Sequence, residues 1–73
     1  MRTPHYGDVA QMVLINGGLR TMMYICPAGW PDQRGRFMIL QPATREPYGV
    51  GYIGTWELPG SPTMVGSFVW VES

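Results

Sequence analysis

His5 is the only histidine and Cys26 the only cysteine of the 73-residue chain. Together they could supply a base and a nucleophile. Cys26, however, follows an apolar run, where a lone thiol behaves as a small buried hydrophobe. Nothing flanking it activates the thiol in an obvious way. His5 falls in the Pro- and Gly-containing stretch MRTPHYG, expected to be a loose N-terminal arm over residues 1–7. One His without a Cys pair offers too few ligands for a transition metal. The carboxylates Asp8, Asp32, Glu46, Glu57 and Glu72 are isolated from one another in sequence. An acid/base pair needs two carboxyl groups held close in unlike environments. The run GVGYIG at residues 49–54 echoes a nucleotide-binding glycine loop. Such a loop opens a helix after a strand, whereas these glycines lie inside a strand pattern. Gly51 and Gly54 are better read as a bulge or as strong coiling of a sheet. These residues predict no catalytic, metal or cofactor site, and so a protein that is not an enzyme.

Binding chemistry is better represented. Residues 27–36, PAGWPDQRGR, are read as a long irregular loop, and long loops in small domains tend to be functional. Trp30 in that loop is either a lid on the core or a binding anchor. Arg34 and Arg36 beside it suit acidic groups of a partner, or phosphates, if they do not merely form a solvated turn. Trp and Arg are the residue types enriched at binding hot spots. Arg20 on the first hairpin and Tyr48 at a turn are expected to extend that surface. Six methionines in so short a chain suggest an irregular core or an adaptable interface. Met12 and Met22 are candidates to face outward and favour a protein partner or self-association. Phe37, Trp56 and Phe68 are assigned to the core.

These residues need elements to hold them. Residues 50–58, VGYIGTWEL, and 67–72, SFVWVE, alternate with a period of two and are rich in aromatic and β-branched side chains. They are expected to form the spine of an antiparallel sheet. Residues 8–15, DVAQMVLI, followed by Asn16-Gly17 and the alternating 19–26, read as a β-hairpin. A short helix at 8–16 is the alternative, since Asp8 and Gln11 have capping-box spacing. Residues 37–41, FMILQ, are apolar on both faces and predict an interior strand ended by Pro42. The expected fold is mainly β: one small domain with an antiparallel sheet or open barrel of four to five strands, SH3-like or OB-like in outline.

Composition narrows the function classes. Five arginines balance five acidic residues, with no lysine. Zero net charge disfavours a nucleic-acid binder, which usually carries a basic excess. The single Cys fits a reducing cytoplasm, and no stretch approaches the ~18 apolar residues of a membrane span. In length and general character the chain is similar to small bacteriophage-encoded regulators that bind host RNA polymerase. The resemblance implies a cytoplasmic, non-enzymatic inhibitor that occupies a polymerase surface and blocks or displaces σ factor. Two other readings stand beside it. One is a small barrel binding single-stranded nucleic acid through stacked aromatics. The other is an oligomeric enzyme with a site between subunits.

Overall fold

The structure, a computed structural model, describes residues 3–29, 33–60 and 67–72. Five strands form one antiparallel sheet: β1 (Val9–Val13), β2 (Leu19–Pro27), β3 (Arg34–Gln41), β4 (Ile53–Glu57) and β5 (Ser67–Trp70). Their order is β4-β3-β2-β1-β5. Four strands follow one another as a meander, and the fifth returns beside the first.

The first hairpin forms as its alternation predicts, and no helix occupies residues 8–16. Val9 faces Met23 and Val13 faces Leu19. The turn closes by Leu14 N–H donating to Gly18 C=O (2.8 Å) and Gly17 N–H donating to Leu14 C=O (2.9 Å). Gly17 takes φ 86°, a left-handed conformation that costs glycine little. The end of the expected arm, residues 5–7, turns back with Asp8, whose N–H donates to His5 C=O. His5 N–H donates to the Asp8 carboxylate, and Gly7 N–H donates to Tyr24 C=O.

Three expectations are corrected. Residues 50–58 and 67–72 are not a central spine. β4 and β5 are the two edges of the sheet and pair with β3 and β1 respectively. Their alternation reports one buried face, a property that edge strands share with interior ones. The irregular stretch 27–36 is also shorter than expected, because Arg34-Gly35-Arg36 begins β3. Gly35 there packs beneath the Tyr24 ring. A Cβ at Gly35 would come within 2.5 Å of Tyr24 Cε1. Finally, β4 begins at Ile53, because the residues before it form a bulge. Gly51 N–H donates to Ile39 C=O (2.8 Å), and Ile39 N–H donates to Tyr52 C=O (2.9 Å). Two residues thus oppose one, with Gly51 at φ 89°, the glycine-bulge geometry. Trp30 lies outside the described residues.

The sheet's inner face carries the core: Ala10, Met22, Tyr24, Phe37, Ile39 and Phe68, closed by Leu58. Met12, Trp56 and Trp70 pack against it. Phe37 is the hub. Its ring meets Tyr24 at 5.5 Å, Phe68 at 5.5 Å, Trp70 at 6.2 Å and Trp56 at 6.4 Å between centroids. These are tilted and edge-on contacts, the arrangement aromatic quadrupoles prefer.

Candidate functional site

The inward parity of β1 and β2 settles where the methionines go. Met22 is fully buried and Met12 faces the core, so neither is the outward pair expected. Their neighbours take that place. Met23 lies directly opposite Val9 on β1 and opposite Met38 on β3, and Met38 lies opposite Ile53 on β4. On the far side, Val71 N–H donates to Val9 C=O (2.8 Å), extending the row past the end of β5. Val71, Val9, Met23, Met38 and Ile53 therefore form one apolar row across all five strands, on the face away from the core. Val69 (56% exposed) and Leu40 lie on the same face. Gln11, whose amide donates to the Thr21 hydroxyl at 3.3 Å, adds a polar pair beside the row.

β3 places Arg34 and Arg36 on this outer face too, since Gly35 and Phe37 between and after them point inward. Arg34 stands opposite Glu57, and Arg36 opposite Thr55. Both arginines are exposed.

Arg20 has the opposite fate. It shares the inward face of β2 with Met22 and Tyr24, and it is 5% exposed. Its Nε donates to Glu46 Oε1 at 2.9 Å, and its second guanidinium nitrogen lies 2.6 Å from the same oxygen. A third nitrogen reaches Met12 Sδ at 3.8 Å. The guanidinium carbon sits 5.2 Å from the Trp56 ring centroid and 5.6 Å from that of Tyr48. Two π faces thus flank a desolvated cation. The other Glu46 oxygen accepts the backbone N–H of Ala43. Burial would raise the Glu46 pKa. The hydrogen bonds from Arg20 and Ala43, with the Arg20 charge, outweigh it and hold the carboxyl below its ordinary 4.5. Arg20 is therefore no outward contact, contrary to the sequence reading. Its donors are committed within the chain, and it pins the connection 42–52 to the sheet. Sequence alone does not pair residues 26 positions apart.

Tyr48 is partly exposed and stacks on Tyr52, with centroids 4.4 Å apart and planes 21° apart. It packs with Arg20, whose side chain is on the inner face of the sheet. Arg34 and Arg36 stand on the opposite, outer face of β3. The five predicted binding residues thus do not form one surface. Arg34 and Arg36 join the outer face, Arg20 and Tyr48 form a second cluster, and Trp30 falls outside the description.

Among the described residues, no hydrogen bond joins His5 to Cys26, and no group of three or more His, Cys, Asp or Glu could hold a metal ion. Tyr24 has its phenol pushed above the ordinary 10.0, first by burial and then by the neighbouring Cys26. No helix among the described residues is long and apolar enough to cross a membrane. No protein-family model, no curated protein and no solved structure matches the chain.

Proposed function

We propose that the chain is a non-enzymatic protein-binding module that docks through the outer face of its sheet. The observation that carries this reading is the apolar row Val71, Val9, Met23, Met38 and Ile53. A contiguous apolar strip on a small domain is the usual mark of an interaction surface. Met23 and Met38 at its centre can repack against an uneven partner. Arg34 and Arg36 on the same face supply charge at one end of the strip, suited to carboxylates on the partner. Zero net charge fits a protein partner better than a polyanion.

The resemblance to phage-encoded regulators names bacterial RNA polymerase, in the host cytoplasm, as the first partner to test. Binding would act by occlusion: the sheet covers a polymerase surface that σ factor also needs. The test is titration of purified core polymerase and of the σ-containing holoenzyme with the labelled protein. Saturable binding to core enzyme that σ competes away is the expected result. Absence of binding to either form at physiological salt removes polymerase as the partner.

A further inference from the structure

We infer that a hollow beside the pinned connection is a binding site for a phosphate group. It measures about 230 Å³ and is lined by Asn16, Gly18, Thr44 and Arg45. Two turns meet there. One closes the β1–β2 hairpin; the other runs through residues 43–46, with Glu46 N–H directed at Ala43 C=O (3.4 Å). This site is separate from the outer face and does not depend on the proposed protein partner.

The lining is rich in donors. Asn16 Oδ1 already accepts the N–H of Gly18 at 2.8 Å, which leaves the Asn16 amide hydrogens to donate. Thr44 brings a hydroxyl and Arg45 a guanidinium. No hydrogen bond or ion pair holds the Arg45 side chain among the described residues. The nearest acidic residue in sequence is Glu46, and both of its oxygens are taken, one by Arg20 and one by Ala43 N–H. Among the described residues, the lining thus brings together the Arg45 cation and the neutral donors of Asn16 and Thr44, with no carboxylate. Donors approaching from both turns suit a tetrahedral oxyanion, and the guanidinium fork matches phosphate oxygens in pairs.

The backbone points the same way. Arg45 has φ 69° and is the single non-glycine residue with positive φ among those described. A side chain there carries a cost that glycine would avoid. The two turns also approach so closely that a Cβ on Gly18 would lie 3.0 Å from Ala43 Cβ. The chain thus has glycine where the turns must touch, yet keeps a strained arginine at the rim of the hollow.

The experiment is a backbone amide NMR titration of the full chain with inorganic phosphate, against chloride at matched ionic strength. Saturable shifts confined to residues 16–18 and 43–46 are expected with phosphate alone. Arg45→Gly relieves the strained φ, so it should melt at the same temperature as the parent or higher. It should nevertheless bind phosphate weaker by about tenfold, the loss of one charge-assisted contact. Thr44→Val should weaken binding without unfolding the chain. A parallel titration with a short oligothymidylate separates the sources. Tighter binding than free phosphate assigns the site to a nucleic-acid strand, and equal or weaker binding assigns it to a small phosphate. No localised shift in the parent, or undiminished binding in Arg45→Gly, overturns the inference.

Discussion

Arg20 and Arg36 are the same residue type on neighbouring strands, and the fold uses them in opposite ways. Arg20 points inward, where a carboxylate, a thioether and two aromatic rings surround its guanidinium. Arg36 points outward beside an apolar row, with Thr55 across from it. The difference follows from strand parity: β2 sends Arg20 to the side of Met22 and Tyr24, and β3 sends Arg36 to the side of Met38. A buried cation needs a complete set of partners, so the Arg20 end is closed on itself and its role is architectural. The outer face carries the apolar row, half-buried at Val9, Met23 and Met38 and exposed at Ile53 and Val71, and this is the region we propose to bind.

The sharpest way to break this contrast is to remove Arg20. Arg20→Ala strands the Glu46 carboxylate in a buried site and should cost about 3–5 kcal/mol in urea unfolding. The double variant Arg20→Met, Glu46→Gln removes both charges, keeps an acceptor for Ala43 N–H and should recover most of that loss. If Arg20→Ala costs as little as an exposed substitution, the closed cluster is not architectural.

Next in size is Gly35→Ala, which drives a methyl group into the Tyr24 ring from the inner side of β3. Tyr24 is itself held by Phe37 and Trp70 and cannot move aside freely. A loss of about 1–3 kcal/mol is expected. A neutral outcome would mean that the ring does not lie over the glycine.

A smaller effect follows from pH. Glu46 has its folded pKa below the ordinary 4.5. Folding therefore favours the ionised carboxylate. That contribution is complete above about 4.5, the unfolded value, and is lost as pH falls through the lower folded value. Glu46→Gln should flatten this part of the acid-denaturation curve while lowering stability at neutral pH. An unchanged slope below pH ~4.5 would remove the carboxylate from the account.

Much of the sheet was legible in the sequence because local rules decide it. The alternation of 19–26 and the glycine after Asn16 specify a hairpin by period and turn chemistry. Val69 and Val71 were separable from Phe68 and Trp70 by parity alone. What was not legible depends on distant residues. Gly35 reads as a turn signal until Tyr24 is known to lie over it. Arg20 reads as a surface cation until Glu46, 26 residues on, is known to meet it. The methionines show the same limit. Parity places Met22 and Met23 on opposite faces, but only the pairing of β2 with β1 and β3 says which face is the core. β4 and β5 read as the spine because their patterns are clean, and a clean pattern does not encode position within the sheet.

The central claim is that the outer face binds and the Arg20 end supports. Its most direct test is titration of purified bacterial core RNA polymerase onto the Met23→Gln, Met38→Gln double variant beside the parent. The expected result is binding weakened by about tenfold or more, with the melting temperature nearly unchanged. Equal binding by the two proteins would contradict the assignment of this face.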